Sequence, residues 1–239
     1  MNHPPQGIPV DQTPHPCPYL KGREAVLPLR WYQRAIDPAH FDALLSTADR
    51  RVGRTLYRPS CPSCTECKGI RVPIGEFVPS RSQRRAWKRN GDVRIVAGPP
   101  RVDAEHLDLF NKHKLSRGLS ERPTSANHYR NWLIVTCANT VETRYFVGDK
   151  LVGVGLIDLG RRDASSVYFY FDPDEGRRSL GVFSVLAEIR WLKSRGFRWY
   201  YLGLYVKDCP QVNYKARYHP HERLEPGGWV RHETALSPG

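Results

Sequence analysis

No stretch of this chain is apolar over enough residues to cross a bilayer. Its first residues, Met1-Asn2-His3-Pro4-Pro5, carry neither a basic n-region nor an apolar h-region, so they do not read as a secretory signal. The compartment expected without such a signal is the cytoplasm, where the six cysteines stay reduced rather than paired. No internal repeat is apparent. Acidic residues are scarce: 24 Asp and Glu stand against 37 Lys and Arg, a formal net charge of +13. A small neutral substrate does not need that field. It favours a polyanion, through steering and counterion release. Six Trp and twelve Tyr accompany the charge. Aromatics interleaved with Arg suit single-stranded ends and flexible acceptor strands better than a duplex major groove. With 239 residues, 40% of them apolar, the chain can build one large domain or two small ones.

What it does have, and what is rarest in it, is the run Cys61-Pro62-Ser63-Cys64-Thr65-Glu66-Cys67, with Cys17 upstream. Two residues between thiolates is the spacing of a tight loop that points both sulfurs at one ion, either zinc or an iron–sulfur cluster. Cys61, Cys64 and Cys67 then need a fourth ligand, for which Cys17 is the candidate. The alternative is a set of thiols that line a pocket. Cys137 and Cys209 stand alone in apolar contexts and read as core residues.

Along the chain, residues 1–16 are Pro-rich and polar and read as a loosely ordered tail. Residues 17–100 read as an N-terminal module with a basic helix, whose cysteine-bearing part, 17–79, reads as irregular and strand-poor. Residues 101–239 read as a second domain. The basic helix follows Ser80, an N-cap with Gln83 as its capping-box partner, and stops at Gly91. Arg81, Arg84, Arg85 and Lys88 share one face of it, and Arg89 borders that face. No carboxylate interrupts the stripe, which is either a solvated surface or a row of phosphate contacts. Helices are predicted over 102–114, capped by Asp103, and over 125–135, with Tyr129, Trp132 and Leu133 as an apolar stripe. The period then changes. Strands over 143–147 and 151–159 form a hairpin at Gly148-Asp149, and a third strand spans 165–171. A helix over 179–195 turns Phe183, Leu186, Ile189 and Leu192 inward and stops at Gly196, before a fourth strand over 197–206. This order gives an α/β (α+β) mixed sheet with at least one crossover helix.

The same order is similar to the core of the GNAT acyl-transfer superfamily. There the loop into the helix carries (Gln/Arg)-x-x-Gly-x-(Gly/Ala), whose backbone N–H groups hold the coenzyme A pyrophosphate. Here it reads Arg178-Ser179-Leu180-Gly181-Val182-Phe183, and Phe183 is expected to obstruct that approach. A GNAT-like fold with a donor other than coenzyme A, in so basic a chain, points to aminoacyl-tRNA. At that point Ser166-Val167-Tyr168-Phe169-Tyr170-Phe171-Asp172-Pro173-Asp174 resembles a strand motif of the arginyl-tRNA–protein transferase family. Tyr200-Tyr201-Leu202-Gly203-Leu204-Tyr205-Val206-Lys207-Asp208-Cys209-Pro210, followed by Asn213-Tyr214-Lys215, is similar to its C-terminal signature. Tyr57-Arg58-Pro59, the Cys triplet and Phe77–Gln83 resemble its N-terminal domain. The resemblance covers about residues 15–224 and is strongest to the bacterial branch, the aspartate/glutamate leucyltransferases. Gln211-Val212 departs from the Lys-Met common in the family, and Leu20 stands where the eukaryotic branch has a second cysteine.

The resemblance implies transfer of leucine from leucyl-tRNA to the N-terminal amine of proteins that begin with Asp or Glu, marking them for degradation. The partners are then aminoacyl-tRNA and those proteins, with no membrane and no cofactor required for the chemistry. The ester is already activated, so the protein must position an amine, accept its proton and stabilise an oxyanion. Asp172, at the strand end, is expected as that base or as a ribose ligand, with a turn-forming Asp-Pro as the alternative. Tyr205, Asn213, Tyr214 and Lys215 are expected to line the same cleft. The acidic side chain of the acceptor calls for Arg fork geometry, with Arg58, Arg71 and Arg23 as candidates beside Cys17 and Cys64. The tRNA-binding candidates are Arg81, Arg84, Arg85, Lys88 and Arg89. Three rivals remain: an arginyl donor, which requires an acidic pocket; a coenzyme-A-dependent acetyltransferase; and a non-catalytic RNA-binding zinc protein.

Overall fold

A computed structural model describes residues 7–233. The chain begins in a small antiparallel sheet built from β1 (Ile8–Asp11), β2 (Leu29–Trp31), β3 (Arg50–Val52) and β4 (Thr55–Tyr57), ordered β1-β2-β4-β3. Helix α1 (Pro38–Ser46) starts at Asp37, whose carboxylate accepts the Ala39 and His40 N–H groups, with proline at its first position. Phe41 and Leu45 of α1 pack with Tyr32, Ile36, Leu56, Cys137 and Tyr201. Two expectations are corrected here. The segment from Ile8 onward is paired rather than loose, while residues 1–6 of the expected tail lie outside the described residues. The N-terminal module is also not strand-poor. Its strands in the small sheet run only three residues each, too short for alternation to register in the sequence.

The second, eight-stranded sheet takes its strands from both sides of residue 100, so a boundary there separates no core from another. It contains β5 (Lys68–Pro73), β6 (Val93–Gly98), β7 (Asn139–Val147), β8 (Lys150–Leu159), β9 (Asp163–Phe171), β10 (Trp199–Tyr205), β11 (His221–Glu225) and β12 (Gly228–His232). The spatial order is β12-β11-β5-β10-β9-β8-β7-β6. Only the β9–β10 pair is parallel. Four further helices join it: α2 (Arg81–Arg89), α3 (Ala104–Ser116), α4 (Ala126–Tyr129, running into a π turn over Arg130–Ile134) and α5 (Leu180–Lys193). The β7–β8 hairpin turns at Gly148, whose φ of +59° needs a residue without a Cβ penalty. Helix α5 is the crossover between β9 and β10, and the predicted inward residues Phe183, Leu186, Ile189 and Leu192 are all buried. Arg51 of β3 docks the small sheet on the large one through a buried ion pair with Asp158 of β8 at 2.5 Å.

One irregularity positions everything that follows. Strands β9 and β10 pair only over Asp163–Ser165 against Trp199–Tyr201. Beyond Ser165, β9 stays with β8 and β10 stays with β5, so the parallel pair opens into a V above α5.

Candidate active site

A cleft of about 510 Å³ fills this V. One wall is β9 from Ser166 to Phe169, the floor is the first half of α5, and Tyr214, Lys215 and Tyr218 close the far side. Arg50 reaches in from β3 of the small sheet. Its guanidinium donates to the Ser165 hydroxyl at 2.8 Å and to the Ser166 carbonyl at 2.7 Å, satisfying groups that the split sheet leaves open. Gly203 of β10 makes this possible. Its φ is +95°, and a Cβ there would lie 2.9 Å from the Arg50 guanidinium carbon. The Lys215 ammonium sits among protein atoms, donating to the Leu204 carbonyl at 3.0 Å. Burial, then the positive charge of Arg50, lowers its pKa to about 7. Glu188 of α5 is the one carboxylate on the lining. Its pKa is raised to about 7 by burial, against hydrogen bonds from Tyr200, Tyr145 and Thr143. Neither Arg50 nor Glu188 was expected from the sequence. A signal for Glu188 was present, because it is an acid in a helix buried on almost every side.

The structure sorts the sequence-predicted residues. Tyr214 and Lys215 line the cleft. Tyr205 and Asn213 do not: the Tyr205 ring lies under the Arg223 guanidinium at 4.0 Å, and the Asn213 amide donates to the Lys207 carbonyl at 3.0 Å. Asp172 is also not on the lining. It caps the short 3-10 turn after β9, accepting the Asp174 N–H at 3.1 Å, and pairs with Lys112 at 2.6 Å and Lys150 at 2.7 Å. Burial pushes its pKa up, but the two lysines outweigh that and hold it at about 2, so it takes no proton at neutral pH. Arg71 is committed elsewhere too. Its guanidinium is sandwiched between Trp199 at 3.9 Å and Trp229 at 4.0 Å, and it pairs with Glu222 at 2.6 Å and with the Tyr201 hydroxyl. An acceptor carboxylate finds no free fork there. Arg58 is exposed and lines neither cavity described in this section.

The cysteines surround a second cavity of about 390 Å³, lined by Cys17, Cys61, Cys64 and Cys67 together with Arg23. Backbone N–H groups of Leu20 and Val26 point at the Cys17 and Cys61 sulfurs, each at 3.4 Å, and the Arg23 guanidinium lies 3.4 Å from the Cys64 sulfur. Burial, then the three neighbouring cysteines, pushes the Cys67 thiol up to about 12. The four cysteines therefore gather, with Cys17 among them. Among the described residues, however, no group of three or more His, Cys, Asp or Glu stands close enough to hold a metal ion. Tyr19 lines the cysteine cavity, and its phenol lies within electrostatic range of both Cys67 and Arg50.

The N-terminal domain described as arginine-tRNA-protein transferase matches residues 15–85, and the C-terminal domain of the same description matches residues 105–225. The chain belongs to the arginine-tRNA–protein transferase family. Among its curated members, an aspartate/glutamate leucyltransferase of Acinetobacter baumannii is 35% identical over 94% of this chain and 84% of its own length. Proteins of the same name from Saccharophagus degradans and Aeromonas hydrophila are 34% and 33% identical, covering 91% and 92% of this chain and 94% and 93% of theirs. Among solved structures, a fungal GCN5-related glucosamine N-acetyltransferase region aligns with a TM-score of 0.42 and 10% identity, over 81% of this chain and 22% of that one.

Within this transferase, the loop into α5 departs from expectation. The Phe183 ring does not block it. The ring is buried in the core, 5.2 Å from the Trp87 ring and 6.0 Å from the Tyr145 ring between centroids, and Gly181 faces open space. What a pyrophosphate would lack is Arg178, which is forked onto Asp92 at 2.8 and 2.9 Å and bonded to Glu175 at 2.8 Å. Helix α2 has the predicted capping box: Ser80 Oγ accepts the Gln83 N–H at 3.3 Å, and Gln83 Oε1 accepts the Ser80 N–H at 2.8 Å. Gln83 and Ala86 face inward, while Arg81, Arg84, Arg85, Lys88 and Arg89 are all exposed. None of the five forms an ion pair among the described residues, so the stripe stands unneutralised.

Proposed function

We infer that this transferase moves leucine from leucyl-tRNA to the N-terminal amine of proteins beginning with Asp or Glu, which marks them for degradation. The observation that carries the donor choice is the cleft lining. Val167, Phe169, Leu180, Val185 and Leu202 offer apolar surface to a leucyl side chain. An arginyl guanidinium would need a carboxylate that stays charged at neutral pH, and the one on the lining, Glu188, has its pKa raised to about 7 by burial. The acceptor reading rests on the cysteine cavity. Lys68 there is paired with Glu225 at 2.8 Å, which leaves Arg23 as the cation free to meet an Asp or Glu side chain. Cys17 and Cys64 flank that position as thiols, and the chemistry requires no metal from them.

The reaction follows from these placements. The amine nitrogen attacks the ester carbonyl carbon, and negative charge develops on the carbonyl oxygen. Arg50 and protonated Lys215 supply positive charge to the cleft, where fixed cations stabilise the developing oxyanion. With a pKa of about 7, Lys215 also releases a proton to the departing ribose oxygen more readily than an ordinary lysine. The first turn of α5 opens into the same cleft and favours negative charge there. No helix of the described chain is long and apolar enough to cross a membrane, and a cytoplasmic enzyme is the reading consistent with aminoacyl-tRNA as substrate.

The decisive assay offers radiolabelled leucyl-tRNA or arginyl-tRNA with peptides that start with Asp, Glu or Ala. Leucine is expected on the Asp and Glu peptides. Preference for arginyl-tRNA, or equal labelling of the Ala peptide, overturns the reading. The α2 stripe is tested separately. Replacing Arg84, Arg85 and Lys88 together by Ala is expected to weaken tRNA binding and flatten its salt dependence, by about 0.7 to 0.9 in log–log slope for each phosphate the helix no longer neutralises. A slope equal to that of the wild type would make the stripe a solvated face.

A further inference from the structure

Glu188 has no part in the reaction as described so far, although it lines the cleft in which that reaction is placed. It lies on α5 beneath the opening between β9 and β10, on the lining of the cleft that holds Lys215. Its side chain is fixed in place. Oε2 accepts the Tyr200 hydroxyl at 2.5 Å, while Oε1 is 3.4 Å from the Tyr145 hydroxyl and 3.5 Å from the Thr143 hydroxyl. The sheet makes room for it at Gly155 of β8, where a Cβ would come within 2.5 Å of Glu188 Oε1 and 2.6 Å of Thr143 Oγ1. No cation pairs with it among the described residues. A carboxylate held by neutral hydroxyls and not neutralised by a salt bridge keeps its basicity, which sets it apart from Asp172.

We propose that Glu188 is the proton acceptor for the attacking amine. The inference rests on the cleft being the site of aminoacyl transfer. The new C–N bond forms between the amine nitrogen and the ester carbonyl carbon, and the bond from that carbon to the ribose oxygen breaks. The amine proton passes to Glu188, the ribose oxygen takes the Lys215 proton, and Glu188 returns its proton to Lys215 through solvent, so the enzyme ends as it began. The groups facing Glu188 fit this. Tyr145 from β7, Tyr200 from β10, and Tyr214 and Tyr218 from the C-terminal segment stay neutral near pH 7, because burial raises each phenol above its ordinary value of 10.0. Burial raises Glu188 to about 7 and lowers Lys215 to about 7. Both groups line the same cleft and titrate near neutrality, so Glu188 can accept a proton from the substrate and Lys215 can give one to it, each acting separately.

The test is the Glu188→Gln variant, which keeps the shape and the hydrogen bond from Tyr200 and removes the basicity. Single-turnover leucyl transfer is measured against pH for the wild type, Glu188→Gln and Glu188→Asp, with a thermal melt to confirm folding. The rate of Glu188→Gln is expected to fall roughly 10²- to 10⁴-fold. Its low-pH limb should disappear, and Glu188→Asp should recover part of the rate. Infrared spectra of the substrate-free protein should show a protonated carboxyl band that titrates away near pH 7 in the wild type and is missing from Glu188→Gln. An active wild type matched by Glu188→Gln in rate and pH profile overturns the proposal and leaves the transferase reading standing. A folded wild type that transfers no aminoacyl group overturns both.

Discussion

Replacing Lys215 by Met is expected to slow single-turnover transfer roughly 10²- to 10³-fold, the size of a lost proton donor or oxyanion cation. The pH dependence carries the more specific expectation. Burial, aided by Arg50, holds the Lys215 pKa at about 7, so the wild-type enzyme loses its proton donor as pH rises through that value, and its rate falls there. Lys215→Met should show no such fall. Lys215→Arg should keep the charge, because an arginine does not deprotonate, and regain oxyanion stabilisation without regaining proton donation. Folding should survive in the Met variant. A lysine whose folded pKa lies below its unfolded value of 10.5 opposes folding increasingly as pH drops from there toward 7, so removing it relieves a cost at neutral pH. A melting temperature below that of the wild type at pH 7 contradicts this burial argument. A wild-type rate in Lys215→Met contradicts the catalytic assignment, leaving the lysine as filling for the cleft.

The difference between Lys215 and Asp172 shows what a sequence can and cannot reveal. Both sit in family motifs, yet the motif does not say which residue keeps its chemistry free. Asp172 is neutralised by Lys112 and Lys150, 60 and 22 positions away, and no local pattern announces those partners. Arg71 is the same case: its two tryptophans lie at 199 and 229, brought beside it by β5 entering the sheet between β10 and β11. Features that depend on neighbours in sequence were legible. The capping box at Ser80, the turn at Gly148 and the inward face of α5 all appear where spacing places them. Arg50 was hidden because its role spans 115 positions to Ser165 and depends on a strand pair that separates halfway along its length.

Reversing the charge at Arg23 should change which acceptors are used and leave the chemistry alone. Arg23 lines the cysteine cavity beside Cys64, and the other cation there, Lys68, is occupied by Glu225. In Arg23→Glu an acceptor with an N-terminal Asp or Glu meets a like charge where it had an opposite one. Because Arg23 is exposed, screening limits each half of that change, and the sum is expected to be roughly 10- to 100-fold in kcat/KM. The loss should appear in KM for the peptide, since Lys215 and Glu188 line a different cavity and are untouched. Peptides that start with Lys or Arg should gain relative to those that start with Asp. Arg23→Lys should fall between, keeping the charge and losing the fork. Affinity for tRNA should be unchanged, because no residue of the α2 stripe lines the cysteine cavity. An Arg23→Glu enzyme that still labels Asp and Glu peptides with the wild-type KM would move the acceptor pocket away from the cysteine cavity altogether.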